Sequence, residues 1–267
     1  MTSMFEAIVL GTIQGIVEWL PVSSEGVLVL VQTNFFEQVG LVEAVQMALF
    51  LHLGTWLASV VYFRKDLVQL GRELFSYRIQ SLSVKRTIHF YVVATLVSGI
   101  LAFALLKMLV NIEQLSSAPG MIINGVVAVL LVVTGVMQLW KSSRGYRTEL
   151  DVDVEEGIIA GIGQGLAALP GISRSGTTTA VLLLRKFREV DALRISFIMS
   201  IPIVLLGNIV LNLGSLHVDF PAIVGFTIAF VFGLVTIHAL LKIAQKVNFG
   251  WFVIAFAVLL VVAMFVV

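Results

Sequence analysis

The chain has 267 residues, 59% of them hydrophobic and 12% charged, with a mean hydropathy of +1.04 and a formal net charge of +1. A soluble domain of this size carries roughly 25% charged residues, so the composition excludes a water-soluble globular protein and points to an integral membrane protein. With no cysteine, disulfides and thiolate metal or redox chemistry are excluded as well.

The first feature in chain order is an apolar region, residues 5–32, whose middle reads I-Q-G-I-V-E-W-L-P-V-S-S-E-G-V from Ile13 to Val27. No basic residue precedes Arg64, so a cleaved secretory leader is not expected. An apolar span follows at 44–63, then a segment from Arg64 to Arg86 with six basic residues, then a span at 88–106. A loop without basic residues (111–120) leads to a span at 121–140, followed by Lys141, Arg144 and Arg147. Residues 155–184 form a second broken apolar region, containing G-Q-G-L-A-A-L-P-G-I-S-R-S-G-T from Gly163 to Thr177. Arg185, Lys186, Arg188 and Arg194 come next, then spans at 195–213, 220–241 and 251–267, with Lys242 and Lys246 between the last two. None of these runs alternates as transmembrane strands would. At ~1.5 Å per residue each span crosses ~30 Å of hydrocarbon.

Fifteen of the seventeen Lys and Arg residues fall in four of the connecting segments, and the loops 33–43, 111–120 and 214–219 hold none. Placing the basic segments in the cytoplasm threads all six spans consistently. Each broken region must then leave by the face it entered. The reading is an all-α polytopic membrane protein forming a single transmembrane domain over 1–267. Its halves are about 1–110 and 119–267, related as an inverted-topology repeat, with about six transmembrane helices and two re-entrant helix hairpins at about 5–32 and 155–184. Gly11-x-x-x-Gly15 matches Gly161-x-x-x-Gly165, Gln14-Gly15 matches Gln164-Gly165, and Leu20-Pro21 matches Leu169-Pro170. Ser24-Glu25-Gly26 lies opposite Arg174-Ser175-Gly176. The paired glycines suit close helix packing.

A charge at bilayer depth costs ~2.5–3.5 kcal/mol on insertion scales, so Glu18, Glu25 and Arg174 are expected to face one another, a cavity or a ligand. Pro21 and Pro170 suit helix breaks, and Ser23-Ser24 and Ser173 suit N-caps of the helices that follow. Helix N-termini bind anions, and the Arg174 fork grips phosphate. With the hydroxyls of Ser24, Ser173, Ser175, Thr177 and Thr178, these groups make a phosphate cradle. Glu18 lies one turn from Gln14, and this acid–amide pair beside a phosphate suggests Mg²⁺. Glu18 acting as a general base, or an ion pair of Glu18 with Arg174 that merely fixes the hairpins, are the other readings. His52, mid-span, is expected to be a hydrogen-bonded packing residue, with a catalytic role the remoter reading, and His89, His217 and His238 structural ones.

These residues resemble the undecaprenyl-pyrophosphate phosphatases, or bacitracin-resistance proteins. One motif is Glu/Gln-x-x-x-Glu followed by Pro-Val-Ser-Ser, here Gln14, Glu18, Pro21, Val22, Ser23 and Ser24. The other is Pro-Gly-x-Ser-Arg-Ser-Gly-x-Thr, here Pro170, Gly171, Ser173, Arg174, Ser175, Gly176 and Thr178. The resemblance implies an enzyme of the cytoplasmic membrane, with its site opening to the outer face. It would remove the terminal phosphate of a polyprenyl diphosphate to recycle the lipid carrier, with a divalent cation, Mg²⁺ or Ca²⁺. It implies Glu18, Ser24 and Arg174 as catalytic, with Ser24 a nucleophile or phosphate ligand. Gln14, Ser23, Glu25, Ser173, Ser175, Gly176 and Thr178 would bind substrate, and Glu18 and Gln14 the metal. A homodimer is compatible with this reading, and nucleic acid is not an expected partner. Three positions depart from the family pattern: Gln14 replaces an acid, Glu25 a small residue, and Val27 a histidine common among relatives. The alternatives are a polyprenyl-phosphate flippase using the same site without catalysis, and an inactive scaffold.

Overall fold

A computed structural model of the protein describes residues 3–20, 23–36, 41–115, 145–169, 172–212 and 218–244. Motif residues Pro21, Val22, Pro170 and Gly171, the expected spans 121–140 and 251–267, Lys141, Arg144, Lys246 and His217 lie outside the described residues. The described residues form α1 (Met4–Val17), α2 (Ser24–Phe35), α3 (Leu41–Tyr62), α4 (Arg64–Phe75), α5 (Leu82–Leu115), α6 (Val154–Leu166), α7 (Arg174–Leu184), α8 (Glu189–Asn212) and α9 (Phe220–Ala244). No strand occurs among them. This is an all-α, multi-pass membrane protein.

Glu43–Tyr62, Leu82–Met108, Glu189–Val210 and Phe220–Ala239 are long and apolar enough to cross a membrane. They correspond to four of the expected spans. Helix α5 runs well past its expected end and takes in Lys107. Helix α4 lies in the basic segment, where the span pattern gave no element; no residue of it is buried.

The two broken regions are helix pairs, α1–α2 and α6–α7. Their members have 14, 12, 13 and 11 residues, each well short of the ~20 that cross a bilayer. Both breaks end in the same cap. Ser23 Oγ accepts from Gly26 N at 3.0 Å, and Ser173 Oγ accepts from Gly176 N at 3.0 Å. A serine in extended backbone satisfies an N–H that the new helix cannot. Ser3 caps α1 with a capping box to Glu6, and Asp153 caps α6 through Glu155 N and Glu156 N.

Helix α1 packs along α9 and α6 along α5; α2 packs on α3, α7 on α8, and α3 on α8. The first helix of each pair thus leans on the last described long helix of the other half. Glycine permits the closest of these contacts. A Cβ at Gly11 would lie 2.4 Å from Gly225 O, and one at Gly161 2.9 Å from Ala94 O. Lipid tails are as apolar as leucine, so packing rather than water exclusion drives such contacts. One buried cluster joins Leu10, Leu28, Ala48 and Leu51 from α1, α2 and α3; another joins Phe90, Ala94, Ala160, Leu182, Ile195 and Met199 from α5 to α8.

Charged residues gather where α4, α6, α7 and α8 begin or end. Glu156 accepts from Arg147 at 2.6 Å and from Arg185 at 2.9 Å, and Arg194 bridges Asp66 and Glu149. This layer carries much of the third basic cluster.

Candidate functional site

The two helix breaks meet. Ser175 Oγ donates to Leu20 O at 3.0 Å, tying the start of α7 to the turn after α1. Trp19 Nε1 donates to Gly233 O at 3.0 Å, and its ring stands edge-on to Phe197 at 5.3 Å. Those contacts hold the turn carrying Glu18 against α9 and α8.

Glu18 is the hub. Its side chain is 5% exposed and accepts from three groups, with His52 Nε2 beside it. Arg174 Nη2 donates to Oε1. Oε2 receives Gln14 Nε2 at 2.8 Å and Ser24 Oγ at 2.8 Å, and lies 3.1 Å from His52 Nε2. Because a carboxylate only accepts, Gln14 must turn its amide nitrogen toward Glu18. That nitrogen also reaches Thr55 Oγ1 at 3.1 Å, and Gln14 Oε1 stays buried with no hydrogen-bond partner. Arg174 is similarly half-used: its Nη1 is buried and unpaired. An orphaned guanidinium donor is costly unless a ligand takes it up.

Glu18, Ser23, Ser24, Glu25, His52, Ile172, Arg174 and Ser175 surround a polar hollow of about 270 Å³. Glu25, His52 and Arg174 also border a larger cavity of about 810 Å³, whose other walls include Leu49, Phe103, Leu106, Ile203, Leu206 and Val210. The polar hollow thus shares Glu25, His52 and Arg174 with a larger, mainly apolar one.

The structure therefore brings Gln14, Glu18, Ser24, Glu25 and Arg174 together, as the two motifs suggested. Ser23 and Ser173 cap α2 and α7, with Gly176 N the donor to Ser173. Thr178 departs from the expected cradle. Its hydroxyl donates to Arg174 O at 2.7 Å and pairs with Ser196 Oγ on α8, so it stands behind Arg174 rather than on the wall of the hollow. The reason is helical geometry: four residues on from Arg174, its hydroxyl can reach the preceding turn's carbonyl. Thr177 likewise bonds Ser173 O and Gly163 O.

Two residues of α3, outside both motifs, reach this cluster. His52 is hydrogen-bonded as expected, its Nδ1 2.6 Å from Ala48 O, and its Nε2 also lies 3.1 Å from Ser24 Oγ, which puts it at the hollow. Thr55, one turn on, supports Gln14. The available signal was the cost of an imidazole eight residues into an apolar span. His89 and His238 pair with Tyr77 and Tyr62, consistent with structural roles.

Residues 7–262 match the family model of the bacitracin resistance protein BacA. The chain belongs to this family. It is 43% identical over 270 residues to an undecaprenyl-diphosphatase of Methanococcoides burtonii, covering 99% of this chain and 100% of that protein. It is 34% identical to an undecaprenyl-diphosphatase of Haloarcula marismortui, over 93% of both chains. It is also 34% identical to undecaprenyl-diphosphatase 2 of Halalkalibacterium halodurans, over 96% of this chain and 94% of that one. For this BacA-family chain the match embraces both helix breaks and every described helix except the first residues of α1.

Proposed function

We propose that this protein is an integral-membrane phosphatase that hydrolyses undecaprenyl or a similar polyprenyl diphosphate to the monophosphate and inorganic phosphate, recycling the lipid carrier. One observation carries the reading: Arg174 binds Glu18 with one guanidinium nitrogen, leaves the other buried and unpaired, and lines both the polar hollow and the apolar cavity. An amphiphile with a phosphorylated head and an isoprenoid tail matches both halves of that space. The names of the similar proteins support the same substrate.

In this reading Arg174 Nη1 takes a terminal phosphate oxygen. The N-terminal ends of α2 and α7 add partial positive charge. Ser24 Oγ, held by Glu18 at the same hollow, is the nucleophile that displaces the lipid monophosphate, and water then hydrolyses the phosphoserine. Glu18 orients Ser24 and Arg174 together. Glu25 borders both spaces and sets how deeply an anionic head enters.

The donors present fit a divalent cation shared with the substrate. Gln14 Oε1 is an unused buried acceptor on the amide whose Nε2 donates to Glu18, and Mg²⁺ is commonly held by one or two protein oxygens plus substrate phosphates. Gln14 and Glu18 would hold Mg²⁺ or Ca²⁺, which when bound neutralises charge on the phosphate oxygens.

The halves 1–110 and 119–267 are read as inverted repeats within one membrane domain, with α1–α2 and α6–α7 as re-entrant hairpins. The charge asymmetry of the loops supports a cytoplasmic-membrane location with the site opening outward. A second reading, a polyprenyl-phosphate flippase, is favoured by the exchanged packing of α1 on α9 and α6 on α5.

The test is phosphate release from C55 diphosphate by purified protein with Mg²⁺ or Ca²⁺, beside Glu18→Gln and Arg174→Ala. Wild-type release lost in both variants is expected. No release from wild type, together with lipid movement in proteoliposomes, would replace the phosphatase with the flippase.

A further inference from the structure

His52 is a buried imidazole at the hollow for which the reaction above has no task. Its ring is fixed from behind. Nδ1 lies 2.6 Å from Ala48 O, one turn earlier on α3. A carbonyl only accepts, so Nδ1 carries the hydrogen and donates it. That leaves Nε2 as the ring atom facing the site, 3.1 Å from Ser24 Oγ and 3.1 Å from Glu18 Oε2.

We propose that His52 is the catalytic base of this site, receiving the Ser24 proton on Nε2 as Ser24 Oγ attacks the terminal phosphorus. The proposal rests on the phosphatase reading. A nucleophile, a base within hydrogen-bond reach and a third group orienting that base are the parts such a step needs. Here they are Ser24, His52 and the Ala48 carbonyl. In the resting site Ser24 donates to Glu18 Oε2 at 2.8 Å. Rotation of the hydroxyl turns the same hydrogen to His52 Nε2, 3.1 Å away, and an imidazole is a stronger base than a carboxylate that also accepts from Arg174 and Gln14. The Glu18 carboxylate faces the imidazolium that forms, as the acid of a nucleophile–histidine–acid set does.

In the first step the Oγ–phosphorus bond forms and the bond from phosphorus to the bridging oxygen breaks. The lipid monophosphate leaves with that electron pair, and the Ser24 proton rests on His52 Nε2. His52 sheds this proton to solvent. In the second step water attacks the phosphoserine, His52 takes one water proton, and it returns a proton to Ser24 Oγ as the Oγ–phosphorus bond breaks. The water oxygen and its remaining hydrogen depart with inorganic phosphate.

The experiment measures kcat and KM for phosphate release by wild type, His52→Ala and His52→Gln. Melting temperatures and added imidazole complete the set. Glutamine keeps a hydrogen-bonding group of similar reach, so His52→Gln reports on chemistry if His52→Ala folds poorly. Both variants are expected to lose about 100-fold or more in kcat with little change in KM, the range for a positioned general base. Imidazole is expected to restore part of the His52→Ala rate and none of the His52→Gln rate. A folded His52→Gln enzyme within about threefold of wild-type kcat would overturn the proposal, since a base contributes at least about 100-fold. Failure of imidazole to rescue a folded His52→Ala enzyme would do the same. If wild type is active and only these results fail, the base is another group; if wild type releases no phosphate, the phosphatase reading falls and the role of His52 falls with it.

Discussion

Glu18 and Arg174 stand 156 positions apart in the chain and form an ion pair between the turn after α1 and the first residue of α7. Their side chains are 5% and 14% exposed, so this is a buried pair, and removing one partner strands the other. Arg174→Met should therefore lower stability by about 3–5 kcal/mol, whereas Glu18→Gln with Arg174→Met should cost less than the single change. Thermal unfolding in one detergent checks the order. A double variant no more stable than Arg174→Met would show that the pair does little to hold the breaks together.

Gln14 occupies a position where an acid completes the family's pattern. Gln14→Glu removes the amide donor to Glu18 and sets a second carboxylate beside it. Like charges at that range destabilise until a cation arrives. The variant should melt lower than wild type without divalent cations and gain more from added Mg²⁺ or Ca²⁺. A thermal-shift titration reads this without turnover. An equal gain in both proteins would place the cation elsewhere.

Two glycines should respond in opposite ways. Gly11→Ala drives a Cβ into the Gly225 backbone, so its melting temperature should fall. Gly207 borders the apolar cavity, and nothing lies within 4 Å of a Cβ built there. Gly207→Leu should fold normally, raise KM for a long polyprenyl diphosphate several-fold, and leave a short-chain isoprenoid diphosphate unaffected. An equal effect on both substrates would argue against the cavity as the tail's path.

Asp151 lies outside the membrane-spanning helices in a short turn. The Thr148 backbone N–H and hydroxyl donate to its carboxylate at 2.7 and 2.9 Å and hold its pKa below the usual value. A lowered folded-state pKa stabilises above the unfolded pKa of about 3.9, and that contribution fades as pH falls through the folded value. Asp151→Asn should therefore melt lower than wild type at neutral pH, and the gap should close in acid. A gap independent of pH would assign the effect to packing.

The helix breaks were legible because polar residues cannot lie in an apolar region without cause. The capping serines Ser23 and Ser173 and the Glu18–Arg174 encounter follow from repeat and charge alone. His52 was not legible in the same way. A histidine in a span reads alike whether it packs or serves a site, since its meaning depends on which helix lies opposite. Thr178 shows the reverse error: a motif position one turn from Arg174 points its hydroxyl back at its own helix.

The sequence by itself determined the membrane class, the two breaks and their capping chemistry, because hydropathy, charge and N-cap preference act over a few neighbouring residues. Only the tertiary structure decided that α3 places His52 against Ser24, that Arg174 keeps one nitrogen unpaired, and that the polar hollow and the apolar cavity share Arg174 as a wall. Those relations depend on how closely α1 seats on α9 and α6 on α5, and such packing joins residues that no local pattern connects.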